Sequence, residues 1–357
     1  MKVGVYAIAL NEVKHLERWY DSVRQADFVI IGDTGSTDGT VEKAKTLGII
    51  TVPITVLPWR FDDARNAVLA HMPKDLDFCI SLDLDEIIQG EWRKAFQDLG
   101  TEITRLQYRF AHRVSANGEV LAESIAEKIH SRFGYRWVNA VHEQLTPYSI
   151  EEIRQKVDLT VLHLPDVTKS RSQYLELMAL AVVEQPSNSQ MQFWYARELY
   201  YHNQNSHAKE KFLFFLNEFP DAWPPERAWA YLFLAKIDPP KALEYLFSAT
   251  QIAPYLREPW LDLADYYRLS GDWIESLLAA KRAERITDVP KIYLVNSENY
   301  SGPRCLDLIA LASHFLKFHT VACDYGAKAL SLRPSDERLA KNLEVYERSK
   351  SSLGDLR

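Results

Sequence analysis

From residue 1 to about 165, short apolar runs alternate with amphipathic stretches. The apolar runs at 3–9, 28–32, 49–56 and 78–82 predict strands, and the stretches 13–25, 40–47 and 62–71 between them predict helices. Alternation of this kind implies a mainly parallel sheet flanked by helices. Residues 103–112, 128–133 and 157–164 predict further strands with less regular connections. An α/β domain over residues 1–168 is expected.

From about Ser170 the strand signals vanish and a repeat takes over. Ala196, Ala230 and Ala264 are 34 residues apart, as are Ala208, Ala242 and Ser276, and Phe215, Ala249 and Ala283. Pro186, Pro220 and Pro254 keep the same period. Small residues where two helices approach closely, with a proline ending each unit, form the tetratricopeptide pattern. Gly271 falls at the turn of the third unit. Ala310, Ala322 and Ala329 form a fourth unit displaced by 46 residues, the extra 12 falling around 288–303. Ala181 and Pro186 fit a half-unit joining the domains, and 336–350 is polar enough to cap the array. Residues 169–357 are expected to be all-α.

The 357 residues and their mixed composition suit two globular domains. A net charge of −7 argues against a broadly basic nucleic-acid surface. Three cysteines without metal-ligand spacing predict free thiols. With no signal-peptide layout and no apolar run of spanning length, a cytoplasmic protein without a membrane span is expected.

The predicted strand at 78–82 runs into Asp83-Leu84-Asp85-Glu86. Residues two apart on a strand share a side, so Asp83 and Asp85 present carboxylates about 5–7 Å apart, an arrangement relieved by a hard divalent cation. A solvated acidic turn is the other reading. Three more constellations surround it. Leu10-Asn11-Glu12 follows the first strand, with Asn11 a candidate helix cap. Asp33-Thr34-Gly35-Ser36-Thr37-Asp38-Gly39-Thr40 follows the second. It reads either as a nucleotide cradle of free backbone N–H groups, with Asp33 accepting from a base or ribose, or as an Asx turn with a helix cap. Arg65, early in a predicted helix, is placed to clamp a diphosphate or to pair with a neighbouring aspartate. His142-Glu143 and His163 supply a candidate base and a candidate third metal ligand.

Taken in order, Leu10-Asn11-Glu12, the Asp33–Thr40 loop, Ala64-Arg65-Asn66, Asp83-Leu84-Asp85-Glu86, Val141-His142-Glu143 and Leu162-His163 resemble family 2 glycosyltransferases. The subset carrying C-terminal tetratricopeptide repeats is the one they most resemble. Phe61-Asp62-Asp63 and His163-Leu164-Pro165 depart from the subset's Phe-Ser-x and His-Tyr-Gly. The resemblance implies a glycosyltransferase A type domain. It implies a nucleotide-sugar donor, first a UDP-sugar, contacted by Leu10, Asn11, Glu12, Asp33, Gly35, Ser36, Arg65 and Asp83. It also implies Mn²⁺ or Mg²⁺ on Asp85, His163 and Asp83, and inverting transfer with Glu143 as base. Asp85 counts with Glu143 among the implied catalytic residues, because the cation it holds meets the leaving group. A non-catalytic nucleotide-sugar-binding scaffold and a sugar nucleotidyltransferase are the alternatives.

Arg105, Arg109, His112, Arg113, Lys128, His130, Arg132 and Arg136 cluster after the acidic motif, interleaved with Glu119, Glu123 and Glu127. They make either a solvated strand face or an anionic-acceptor groove. Peptide or protein, glycan and modified nucleic-acid base all stay open as acceptors. The repeats offer a surface for peptide binding or homo-oligomers, and the 288–303 insertion is a candidate to reach the active site.

Overall fold

The computed structural model describes residues 1–114, 120–165, 174–290, 292, 294–296, 298–354. The chain divides into two compact units, Met1–Glu184 and Gln185–Arg357. The expected boundary at 168/169 lies outside the described residues.

In the first unit the chain runs β1 (Val3–Ala9), α1 (Leu16–Val23), β2 (Phe28–Asp33), α2 (Thr40–Thr46), β3 (Ile50–Pro53), α3 (Phe61–Ala70), β4 (Phe78–Ser81). There follow β5 (Glu86–Ile88), β6 (Arg105–Val114), β7 (Val120–Ser131), β8 (Tyr135–Val138), β9 (Gln144–Pro147), β10 (Arg154–His163) and α4 (Tyr174–Glu184). The main sheet has the order β3-β2-β1-β4-β7-β6-β10-β5, and β8 and β9 form a separate two-stranded sheet. Strands β3, β2, β1 and β4 are mutually parallel, so their carboxyl ends share one edge. Strand β7 joins β4 antiparallel, placing Ile129 beside Ile80.

Strand alternation divides the core. Val3, Val5 and Ala7 of β1 join Leu16, Trp19 and Val23 of α1 on one side of the sheet. Tyr6 turns to the other side with Val68 and Leu69 of α3 and with Trp137 of β8. There α3 lies so close that a Cβ at Gly32 would meet Val68 and Ile54. Tyr6 also anchors a buried polar chain. Its hydroxyl accepts from Trp137 Nε1 at 2.7 Å and meets His130 Nε2 at 3.1 Å.

Burial pushes the His130 imidazole down to about 4. In the unfolded chain it titrates near 6.5, so between these values the unfolded state binds the extra proton. Stability is therefore complete above pH 6.5 and falls as pH drops towards 4, by roughly 3 kcal/mol from this group. Urea midpoints read by hydrogen exchange on peptides of the first unit should fall more steeply between pH 7 and 5 for the natural protein than for His130→Gln. Parallel curves would remove His130 as the cause.

The second unit is built of helix pairs α5 (Ser189–Tyr201) and α6 (Asn205–Glu218), α7 (Pro224–Ile237) and α8 (Ala242–Ile252), α9 (Arg257–Ser270) and α10 (Trp273–Glu284). After a short α11 (Glu298–Ser301) come the pair α12 (Arg304–Phe315) and α13 (His319–Leu332), then α14 (Glu337–Gly354). Ala196, Ala230, Ala264 and Ala310 are all fully buried, which is why the period demands small residues there. Ser276 occupies an alanine position and satisfies its hydroxyl by donating to the Ala264 carbonyl at 2.9 Å. Gly271 caps α9 with φ 79°, a conformation that favours glycine. The chain thus carries a mainly parallel α/β sheet followed in sequence by a tetratricopeptide-like helical array.

Within the 288–303 insertion, Asn296, Asn299 and Tyr300 are held by the start of α9. Arg257 donates to the carbonyls of Asn299 and Tyr300 at 3.2 and 3.0 Å, and Glu258 accepts from Asn296 N–H at 3.3 Å. Among the described residues no helix is long and apolar enough to cross a membrane.

Candidate active site at the carboxyl edge of the sheet

The carboxylates after β4 are brought to the end of β10 by the three-residue strand β5. It pairs antiparallel with β10, setting Glu86 opposite His163. The Leu164 N–H donates to the Asp85 carbonyl at 2.7 Å and continues the pairing past the strand. Asp85 Oδ2 and His163 Nε2 therefore stand 3.4 Å apart, each side chain 29% exposed. Burial opposes charge on both, but their contact wins, lowering the Asp85 carboxyl and raising the His163 imidazole from their ordinary values.

Asp83 points to two cations. Its Oδ1 meets Arg65 Nη1 at 2.7 Å and its Oδ2 meets Lys128 Nζ at 3.1 Å. Burial would raise its pKa, yet these two cations hold the carboxyl far below the usual range. Arg65 is nearly buried. Its Nε donates to Glu143 Oε1 at 2.6 Å and its Nη1 to Ser81 Oγ at 3.3 Å, while its guanidinium lies 5.1 Å from the Trp137 ring. Arg65 thus organises two carboxylates from distant segments. The sequence-based alternative of a local pair with Asp62 or Asp63 is replaced by this one: Arg60 pairs with Asp62 at 2.9 Å instead.

Glu86 turns inward. Its Oε2 accepts the Asp83 N–H at 3.0 Å and its Oε1 takes Lys128 at 2.7 Å. Burial, followed by the neighbouring Asp83 charge, raises its pKa. Glu143 follows a loop in which Asn139 and His142 have φ of 83° and 49°, a strained turn that reverses the chain before β9. The Phe61 N–H donates to the Ala140 carbonyl at 3.0 Å, tying that loop to α3, the helix of Arg65.

The glycine-containing loop after β2 differs from a cradle of free donors. Asp33 Oδ2 accepts the N–H groups of Gly35 and Ser36 at 3.1 and 3.2 Å. Asn11 Oδ1 accepts that of Thr37 at 2.8 Å, and Asp38 accepts that of Thr40 at 3.0 Å. Polar side chains on a short loop satisfy the backbone first, so the Asx-turn reading holds. The loop is also stitched to the end of β1. Ser36 Oγ accepts the Asn11 N–H at 2.9 Å, and Thr40 Oγ1 accepts the Glu12 N–H at 2.7 Å. Leu10 is left exposed beside this rim and Glu12 is buried in it.

The interleaved charges after the motif also resolve. Arg105 pairs with Glu152 at 2.8 Å, and Arg109 with Glu123 at 2.5 Å, while Arg132 donates to the Met72 and Pro73 carbonyls. Cations held in this way fit the strand-face reading rather than an open anionic groove. Lys128, grouped with these basic residues by sequence, belongs instead to the acidic centre. A register shift in the β6–β7 pairing between Ala126 and Ile129 breaks the strand alternation at Lys128, so parity along the sequence carried no signal of its place.

A divalent cation, as the resemblance implies, needs hard donors. Among the described residues no group of three or more His, Cys, Asp and Glu side chains is arranged to hold one. Asp85 and His163 offer one carboxylate and one imidazole at a half-open position. That set suits Mg²⁺ or Mn²⁺, which is commonly held by one or two protein ligands plus substrate phosphates.

No protein-family model matches the chain, and no curated protein sequence matches it. Solved structures are similar to it in part. A tetratricopeptide-repeat protein of Thermus thermophilus is 20% identical over 48% of this chain and 88% of its own, with a TM-score of 0.33. YrrB, a tetratricopeptide-repeat protein with an unusual peptide-binding site, is 16% identical over 48% of this chain and 82% of its own, with a TM-score of 0.37. Glucosyl-3-phosphoglycerate synthase of Mycobacterium tuberculosis, solved with Mn²⁺, uridine diphosphate and glucosyl-3-phosphoglycerate, is 24% identical over 30% of this chain. That match spans 44% of the synthase, with a TM-score of 0.27.

Proposed function

We propose that the first unit is a metal-dependent glycosyltransferase of the glycosyltransferase A type, moving a sugar from a nucleotide-sugar donor to a nucleophile. The observation that supports this best is the meeting of Arg65, Asp83, Asp85, Glu143 and His163 at the sheet's carboxyl edge, from segments up to 98 residues apart. Open α/β sheets bind ligands at that edge. A nucleoside would lie against Leu10, Asn11, Glu12 and the Asp33 loop, where Asp33 Oδ1 has capacity left for a base or ribose donor.

Asp85 and His163 would hold Mn²⁺ or Mg²⁺, which supplies positive charge to the leaving diphosphate. Glu143 receives the proton of the attacking acceptor as the new bond to the anomeric carbon forms and the bond from that carbon to the diphosphate breaks. Arg65 fixes the Glu143 rotamer. A single displacement of this kind inverts the anomeric centre.

Thermal shift with UDP, GDP and other nucleotides, with and without Mn²⁺, followed by a donor-hydrolysis panel, tests the proposal. Stabilisation by a nucleoside diphosphate plus metal is expected. Release of pyrophosphate would instead indicate a nucleotidyltransferase, and the absence of any stabilising nucleotide would leave a scaffold. Glu143→Gln should lower transfer about 10²–10⁴-fold at little cost in donor binding. Retention of configuration by NMR, or full activity of that variant, would refute Glu143 as the base of an inverting step.

A further inference from the structure

Lys128 ties β7 to the acidic motif after β4. Its side chain is 26% exposed and its ammonium lies between two carboxylates, 3.1 Å from Asp83 Oδ2 and 2.7 Å from Glu86 Oε1. With Arg65 on Asp83 Oδ1 and the Asp83 N–H on Glu86 Oε2, all four oxygens of these two carboxylates are engaged. Asp85, paired with His163, lies outside that set. The first aspartate of an Asp-x-Asp pair is thus neutralised by side chains of the chain itself.

We propose that Lys128 is a built-in counter-cation of this site, occupying the charge position that Asp83 and Glu86 would otherwise offer to a divalent metal, so that metal is loaded together with the donor's diphosphate rather than alone. Arg65 cannot serve this exchange, because Glu143, Ser81 and Trp137 lock its planar fork from three sides. A lysine is a compact charge on a flexible stem and can change partners without moving the strand. An arriving diphosphate would compete with Asp83 for the ammonium, which would free the Asp83 carboxylate to help hold a cation. The loading order rests on the donor reading above; the occupancy of Asp83 and Glu86 by Lys128 does not.

The test is Mn²⁺ alone, titrated into the full-length, nucleotide-free protein and followed by the electron paramagnetic resonance signal of the free ion. Lys128→Met removes one positive charge and frees two carboxylate oxygens beside Asp85. Its Mn²⁺ affinity should rise about tenfold or more over the natural protein, whereas Lys128→Arg, which keeps the charge, should match the natural protein. Lys128→Gln gives the same reading should the methionine variant fail to fold. Unchanged or weaker Mn²⁺ binding by a neutral variant with natural hydrogen exchange across 78–88 would overturn the proposal. In the natural protein, UDP should strengthen Mn²⁺ retention beyond what free UDP chelates. Equally tight Mn²⁺ binding without any nucleotide would also overturn the loading order. The nucleotide-free arm stands apart from the donor reading, which fails separately if no nucleotide binds.

Discussion

Asp85→Ala is expected to lower sugar transfer by about 10²–10³-fold, the loss seen when a preorganised charge on a developing anion is removed. Asp85 is the hard oxygen donor of the pair with His163, and that pair is where a cation would meet the leaving diphosphate. The substitution should be local. The β5–β10 junction depends on the Asp85 carbonyl, which accepts the Leu164 N–H at 2.7 Å and is kept in the variant. Melting of the helical unit should stay at its natural temperature, because none of its helices includes this position. Turnover at saturating donor and Mn²⁺ measures the effect. An Asp85→Ala protein with full turnover would remove the metal role from this residue. Asp85→Asn, similar in shape but uncharged, should lose most of the same rate.

Arg65→Ala should be strongly destabilising, costing about 3–5 kcal/mol. The arginine is nearly buried between Glu143, Asp83, Ser81 and Trp137. Removing it leaves Glu143, 12% exposed, without its 2.6 Å partner and leaves Asp83 to Lys128 alone. An uncompensated buried carboxylate is what makes such deletions costly, more than the loss of the ion pair itself. The two units need not unfold together, so a single melting curve is a poor measure. Hydrogen exchange of peptides covering 61–70 and 78–88 is the direct one, and the slowest amides should exchange about two to three and a half orders of magnitude faster. Arg65→Lys keeps a charge but loses the fork and should fall between. Unchanged protection in Arg65→Ala would show that the carboxylates are solvated without it.

Much of this organisation was readable along the chain. Strand β1 spans the predicted 3–9, and β2, β4 and α3 fall within a residue or so of their predicted bounds, since buried runs and amphipathic stretches of ordinary length signal themselves. The repeat was legible because a stacked array imposes its period on the sequence, and the alanine columns are the buried contacts that period requires. Strands β5, β8 and β9 were not read. Each has three or four residues, too few for a periodicity, and β5 directly follows a carboxylate cluster that looks like a turn.

The sequence by itself determined the two classes of architecture and the residues with chemistry to offer: Asp83 and Asp85 after a strand, Glu143, His163, Arg65 and the Asp33 loop. Tertiary structure decided what each one touches. A carboxylate 78 positions from its arginine carries no local mark of that pairing, which exists because α3 and the 139–143 loop pack together. The same holds for Lys128, one more basic residue on a charged strand until antiparallel pairing of β7 with β4 carries it to the acidic edge. Local patterns report burial and period, whereas charge partners are chosen by the fold, because an ion pair needs proximity in space and imposes no spacing on the chain.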